Sequence, residues 1–500
     1  MNTLKTLTCS AAALAAFATA GWSLTAEEAW QNWQDQASSA GQTLTSTGTA
    51  KDGNTLTVQG LGFAMSDDEV TVSGTLGDAV FTENADGTVS ITVPDSYDIS
   101  FVVAPEFGEK VDATVNIMQQ GLTMTASEAG GAQTFNFAAP SAVIEVTKLL
   151  IDGEELPMDL VVKLGAMTGS HSTSPTVPPE VTQLMNIASL DMNVAVTEPG
   201  GSGTFTGNLA MANLVSTSKG SASGMFNMED MGTLLKDGFN TNGSLLYGAS
   251  VFDMAFSDGT EEFMTNGSLN GGNITLALNK DQLTYNVNNN GMNISMSGSE
   301  IPLPEVAFGV GSTAYNFLMP LAQTNEPKPF VASVEISDLT VIDGIWNLFD
   351  PGAVLPRGPA NLNFDLAGQA NWLVDILDPA SMAAVEMPAQ IHAISLTDLL
   401  VDVVGTQLTG DGSFTFDNND LATFGGFPAP NGQVNLKLVG ANALLDKLVT
   451  MGLVPQDQAN TAKLMSGMVL RPGEGEDTLV SEIAVRPTGE VTANGVPLPF

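Results

Sequence analysis

The sequence predicts a mainly β protein: a long curved antiparallel β-meander sheet with a few peripheral helices, namely an N-terminal helix and a C-terminal helical hairpin. Three observations carry this expectation. Apolar residues alternate with Thr, Ser and Asn through most of the chain, which is the period of a half-buried strand. Turn signals such as Asp52-Gly53, Asp86-Gly87 and Asp152-Gly153 punctuate the alternating runs. Hydrophobic residues make up 43 % and charged residues only 14 % of the 500 positions. That is ample to bury a core, and too long a chain for one ordinary core.

The first 23 residues, MNTLKTLTCSAAALAAFATAGWS, read as a secretory signal. Lys5 supplies the basic start, Leu7 to Ala20 is an apolar run of 14 residues, and Ala18-Thr19-Ala20 is a cleavage site. The run is shorter than the roughly 20 residues of a membrane-spanning helix. Cys9, the single cysteine, would leave with the signal, so the mature chain has no thiol nucleophile, disulfide or cysteine ligand. The expected location is periplasmic, with no transmembrane helix after cleavage. Two regions are expected beyond it: an N-terminal antiparallel β region over 24–320 and a C-terminal β region over 331–500. Residues 319–330, MPLAQTNEPKPF, form the linker.

Thr25 is the expected N-cap of a helix over 26–40, with Glu27 and Glu28 in the favourable first turn. Trp30 and Trp33 share one face and should dock this helix on a sheet edge, and Gly41 ends it. From Thr43 to Leu164 strands and turns follow, with Leu56, Val58, Val70, Val72, Val89, Ile91, Phe135 and Phe137 as apolar positions. Residues 168–182, TGSHSTSPTVPPEVT, read as a loop carrying an exposed His171. Strands resume by Leu190, and a short helix is expected at about 228–238.

Residues 241–304 hold a local repeat. Asn-Gly pairs fall at 242, 266 and 290, each 24 residues after the last, and TNGSL occurs at 241–245 and 265–269. Asn-Gly is a strong hairpin signal, so these pairs are read as the turns of a meander with two strands per 24-residue unit.

Beyond the linker, 331–341 is a strand, and Asp343 is the expected cap of a helix over 344–349. Leu362, Phe364 and Leu366 share one strand face. Further strands are expected at 391–404, 412–416 and 433–438, then a helical hairpin at 442–468. Its two stripes, Leu444, Leu445, Leu448 and Val449, and Leu464, Met465 and Met468, should pack on the sheet. A hairpin turning at 487–489 closes the chain.

The formal net charge of −40 repels nucleic acid and anionic membrane surfaces, so no nucleic-acid partner is expected. Two histidines and no mature cysteine exclude a three-histidine or cysteine metal site. None of the common catalytic or phosphate-binding motifs is present. No catalytic, cofactor-binding or metal-binding residue is therefore assigned, and no cofactor is expected. The acidic groups Asp152/Glu154/Glu155, Asp411/Asp417/Asp420 and Glu474/Glu476/Asp477 read as solvated turns. His392 reads as a satisfied strand histidine. Arg357, Arg471 and Arg486, the only arginines, all lie beside prolines in the last third. They are either structural ion-pair positions or an anion-recognition set.

Three stretches carry a family pattern: DGIWNLFDPGAVLPRGPANLNFDLAG, GDGSFTFDNNDLATFGGFPAPNGQVNLKLVGANALLDKLVTMGLVP and RPGEGEDTLVSEIAVRPTGEVTANGVPL. With the early AEEAWQNWQDQASSAGQTL, they resemble the alphaproteobacterial domain of unknown function 2125 family. The resemblance implies an exported protein of unassigned activity and brings no catalytic residues with it. The long meander and the closing ANGVPL are similar, more distantly, to AsmA-like envelope proteins. Those build long curved sheets, some with a groove for acyl chains; this chain departs from them in lacking an N-terminal anchor once the signal is removed.

The leading functional expectation is an exported, non-enzymatic envelope protein that binds lipid or an envelope partner on the apolar face of a curved sheet. Its 22 Met and 23 Phe suit an adaptable apolar surface. The alternative is an outer-membrane β-barrel or surface protein, for which Val496, Leu498 and Phe500 would alternate in a last strand. A carboxylate-only hydrolase is third, since two acids suffice for glycoside cleavage.

Overall fold

A computed structural model describes residues 24–39, 41–66, 69–105, 107–221 and 231–498. The expected signal with Cys9, the Asp67-Asp68 pair, residues 228–230 and Phe500 lie outside them. The chain divides into two units, residues 1–271 with 298–300, and residues 272–297 with 301–500. Both are built of antiparallel β-ladders, as the alternation requires, and the described residues include six helices.

The first unit opens with α1 (Ala26–Ser39). The Thr25 hydroxyl accepts from the Glu28 N–H at 3.2 Å, and the Glu28 carboxylate accepts from the Thr25 N–H at 2.9 Å, a reciprocal capping box. Gly41, at φ +73°, takes the left-handed position that ends the helix. Three strands follow: β1 (Thr43–Thr45), β2 (Gly48–Asp52) and β3 (Thr55–Ser66). The turn signal at Asp52-Gly53 joins β2 to β3, with Asp52 opposite Thr55.

Next come β4 (Val70–Glu83), β5 (Val89–Thr92), β6 (Ser96–Val103), β7 (Val111–Met118), β8 (Thr123–Ala129), β9 (Ala132–Ala139), β10 (Ala142–Ile151), β11 (Glu154–Glu155), β12 (Met158–Leu164) and β13 (Met167–Thr173). The unit ends with β14 (Glu180–Thr197), β15 (Thr204–Ser221), α2 (Met231–Lys236), β16 (Thr241–Tyr247), β17 (Ser250–Ser257) and β18 (Glu262–Leu269).

These strands are less fragmented than their number suggests. β12 and β13 pair with consecutive halves of β14, and β16 and β17 with consecutive halves of β15. Each pair is one long strand broken in the middle. The breaks meet across the sheet: the Gln119 N–H donates to Asp95 O, Gly165 to Ser189 O and Gly248 to Ala212 O, at 2.7–2.8 Å. Gly77 sits at φ +89° against Pro94, where an added Cβ would come within 2.9 Å of the ring. Asn213 stands on the same line at φ +54°. A left-handed residue interrupts the pleat, as in a bulge. Apolar positions change phase there, from Met185 and Ile187 to Leu190, Met192 and Val194 along β14.

Both clusters of buried apolar residues lie within residues 24–137. Trp30 and Trp33 stack edge-on at 5.9 Å, and both rest on Phe81. Beneath them lie Leu56, Val58, Phe81, Val89 and Ile91, alternate residues of three adjacent strands. The tryptophans therefore dock α1 on the face of the sheet rather than on its edge.

The second unit contains β19 (Gly271–Leu278), β20 (Gln282–Gly298), β21 (Val306–Pro320), β22 (Lys328–Val341), α3 (Asp343–Trp346), β23 (Ala360–Trp372), α4 (Pro379–Ala383), β24 (Ala389–Val403), β25 (Thr406–Asp417) and β26 (Ala429–Val439). α5 (Ala441–Thr450), α6 (Gln456–Ser466), β27 (Arg471–Pro472), β28 (Thr478–Val485), β29 (Val491–Ala493) and β30 (Val496–Pro497) complete it. From β20 to β26 each strand pairs with the next, and β28 follows β26. The 319–330 linker shrinks to 321–327, a hairpin connection inside this unit. The same break recurs at Gly291, φ +62°, and Asp338, φ +55°. Leu283, Tyr285 and Val287 precede Gly291 at odd positions, and Met292, Ile294 and Met296 follow at even ones.

Several expectations need correction. The Asn-Gly pairs are not turns: they lie inside β16, β18 and β20. Two strands do fall in each 24-residue interval, β16 with β17 and then β18 with β19. The turns form instead where side chains satisfy the backbone locally. Asp258 accepts from the Thr260 and Glu261 N–H groups at 2.8 Å, and Asn279 from Asp281 and Gln282 at 2.8 and 3.0 Å. The 168–182 loop is mostly strand, because Ser and Thr sit comfortably on a polar sheet face; only 174–179 is irregular. Asp343 is the first residue of α3, preceded by Ile342, and its carboxylate serves Arg357 rather than the helix end. The Leu464, Met465 and Met468 stripe does not pack on the sheet: these side chains are 78 %, 61 % and 63 % exposed. α6 turns Ala459 inward instead.

Candidate functional site

The second unit presents one continuous apolar sheet face. Antiparallel register lets it be followed across the strands. One row runs Tyr285, Phe317, Ala332, Leu366, Leu396, Gly412, Val434, Ile483. A second runs Ile336, Leu362, Val401, Leu408, Leu438, Leu479, and a third Phe330, Gly368, Ile394, Phe414, Gly432, Val485. On each strand the row members are an even number of residues apart, so they share a face. β24 is the exception, and a bulge between Leu396 and Leu399 restores its phase.

Most of these side chains are partly buried, and the most exposed lie toward the β20–β23 side. Tyr285, Phe317 and Phe364 are 41 %, 39 % and 37 % exposed. Each half-exposed Leu or Phe leaves on the order of 1 kcal/mol of transfer free energy unrealised. Ser481 is the buried exception, and its hydroxyl donates to Val469 O at 2.7 Å, where the chain leaving α6 crosses β28.

The opposite face is polar. Asp411, Asn435 and Glu482 lie opposite one another on β25, β26 and β28. Thr409, Lys437, Val480 and Arg471 form the adjacent row. With Asp398 they line an open cleft of about 510 Å³. Asn435 donates to Asp411 at 3.2 Å and Asn363 to Asp398 at 2.7 Å.

The three arginines do not come together. Arg357 is a staple. It donates to the Asp343 carboxylate at 2.5 Å, Asn347 Oδ1 at 2.9 Å and Asp350 O at 2.7 Å, with its guanidinium 5.9 Å from the Trp346 ring centre. Arg471 lines the polar cleft, and Arg486 starts the closing turn, its N–H donating to Glu490 O at 2.9 Å. Neither has an ion pair among the described residues.

His171 lies in β13, opposite Phe135 and Gln183, not in a loop. Gln183 Nε2 is 3.1 Å from its Nδ1 and Gln36 Nε2 is 3.4 Å from its Nε2, which ties α1 to the sheet. Burial lowers its pKa below the ordinary imidazole value. His392 Nε2 sits 2.6 Å from Oδ1 of the buried Asn371, as a satisfied strand histidine should.

Of the acidic groups, Asp152, Asp417, Asp420 and Asp477 accept hydrogen bonds from backbone N–H groups at turns and helix starts, whereas Asp411 lines the cleft. Among the described residues no three His, Cys, Asp or Glu side chains form a group able to hold a metal. Asp477 was not legible as a cap from sequence, because it is 35 residues from the N–H it serves. Its carboxylate accepts from Asn442 N–H at 3.2 Å and Ala443 N–H at 2.8 Å, at the start of α5. Burial pushes that carboxyl up, but these donors outweigh it and leave it below the usual range. Asp350 repeats the pattern: burial raises it, while the Val354 and Leu355 N–H groups and Arg357 bring it down. Both are structural anchors.

No helix among the described residues is long and apolar enough to cross a membrane. Val496–Pro497 pairs with Thr492–Ala493 in a short closing hairpin. No curated protein and no solved structure matches this chain. Residues 269–499, most of the second unit, match the sequence model of a family described as an uncharacterized protein conserved in bacteria (DUF2125).

Proposed function

We propose that this is an exported, non-enzymatic protein of the bacterial envelope that holds a lipid acyl chain against the apolar face of its second unit. The observation that supports the reading is the set of contiguous apolar rows from β20 to β28, with Tyr285, Phe317 and Phe364 more than a third exposed. An acyl chain is long, flexible and wholly apolar, and it covers such rows without leaving polar groups unpaired. Periplasmic location rests on the signal features of residues 1–23. Kinship with AsmA-like envelope proteins and restriction of the family to alphaproteobacteria belong to the same proposal.

Native mass spectrometry of the gently purified protein tests it. Adducts of lipid mass, removed by organic extraction and restored by added fatty acid, are expected. A bare chain that takes up no fatty acid would sink the reading, and co-purification of a protein without lipid would replace lipid by an envelope partner. A second reading, a carboxylate-only hydrolase, is favoured by one feature, the cleft lined by Asp398, Asp411 and Glu482. Hydrolysis of a chromogenic glycoside that disappears in Asp411→Asn would establish it; no turnover on a broad glycoside panel would remove it.

A further inference from the structure

We infer that the end of the second unit bearing α3 and the α5–α6 hairpin docks on the surface of a lipid bilayer; this rests on the acyl-chain reading for its purpose but not for its geometry. The connections from β22 to β23, from β24 to β25 and from β26 to β28 all leave the same end of the strands, since Val403 faces Thr406 and Val439 faces Thr478. That end displays apolar side chains that no element among the described residues covers. Leu348 and Phe349, just after α3, are 63 % and 45 % exposed. Leu464 and Met465, in the last turn of α6, and Met468, in the turn just after it, are 78 %, 61 % and 63 % exposed.

Charge selects the occupant. The chain carries −40 overall, which repels an anionic surface. Residues 441–470 add nothing to it: two lysines, Lys447 and Lys463, balance two aspartates, Asp446 and Asp457. Lys463 and Asp446 pair at 2.7 Å, so the hairpin is both electroneutral and internally compensated. A neutral, Leu- and Met-bearing tip on a strongly anionic body suits shallow insertion among lipid headgroups, with the body held away from the surface. The row Ile336, Leu362, Val401, Leu408, Leu438, Leu479 is the one nearest this end. A chain lying on the apolar face would pass from it directly into the bilayer.

Sedimentation of the mature full-length chain with phosphatidylcholine vesicles tests the inference. The wild type is expected to sediment with them. The triple change Leu464→Glu, Met465→Glu, Met468→Glu should lower the bound fraction about tenfold or more, since it removes three insertable side chains. Phe427→Glu alters a side chain 74 % exposed at the other end of the strands and should leave binding unchanged. Wild type that ignores vesicles, or equal loss in both variants, overturns the docking surface. So does a dimer that the triple change converts to monomer in analytical ultracentrifugation, because a second copy then covers the patch. Wild type that binds fatty acid but not vesicles ends the docking inference and spares the acyl-chain reading; the reverse result does the opposite.

Discussion

Residues 24–137 and the second unit share the same alternation of apolar and polar residues, yet they bury it differently. In the first, Phe81, Val89 and Ile91 are fully enclosed beneath α1, and the two indoles of that helix fill the space above the strands. In the second, Tyr285, Phe317 and Phe364 occupy equivalent alternating positions and remain more than a third exposed. The strands themselves are alike. What differs is the covering element: a capped helix with Trp30 and Trp33 in one case, and α5 and α6 placed at the strand ends in the other. A period-two pattern therefore identifies a sheet face without saying whether that face is sealed.

The largest expected effect is at the sealed face. Trp33→Ala should cost about 3–5 kcal/mol of stability, because it empties a closed core. Phe364→Ala on the open face should cost about 1–2 kcal/mol, since more than a third of that side chain already meets water. Urea unfolding of both variants checks the contrast, and equal losses would break it. Next in size is ligand affinity. The double change Phe317→Glu, Leu366→Glu should weaken fatty-acid binding about tenfold or more while the urea midpoint moves little. Unaltered binding in a fluorescent fatty-acid titration would move the site elsewhere.

A smaller effect sharpens the role of the helical hairpin. Asp477→Ala removes the carboxylate at the start of α5 and should cost about 1 kcal/mol. Hydrogen exchange should show faster opening confined to α5 and its neighbours. The smallest effect is a pH dependence in the first unit. His171 has a lowered pKa in the folded state, so the unfolded chain binds the extra proton first. Its contribution is fully present above the ordinary imidazole value of about 6.5 and is lost as pH falls below it. Stability measured between neutral and mildly acidic pH should decline, and His171→Gln should flatten that decline.

Much of the architecture was legible in the residues. Thr25, Glu28 and Gly41 bound the first helix by capping chemistry that needs no tertiary partner. The alternating runs marked nearly every strand. Asn-Gly misled because its turn preference is only local. In β18 Gly267 sits opposite Phe252 within the ladder, so strand pairing overrode the turn signal. The phase changes at Gly291 and within β14 were visible as odd-to-even shifts, but a shift alone does not reveal a shared line of breaks. That line depends on register between strands far apart in sequence. The apolar face was foreseen as a possibility because Leu362, Phe364 and Leu366 alternate; its openness depends on where helices sit. The exposed Leu464, Met465 and Met468 looked like a packing stripe for the same reason. Asp477 and the cleft around Arg471 were hidden because their partners come from other strands.

Photo-crosslinking with a diazirine fatty acid, read out by peptide mapping, addresses the open face most directly. The account predicts labelled peptides from β21, β23 and β24, carrying Phe317, Phe364, Leu366 and Leu396, and none from the core beneath α1. Labelling confined to the first unit, or no saturable labelling at all, would contradict it.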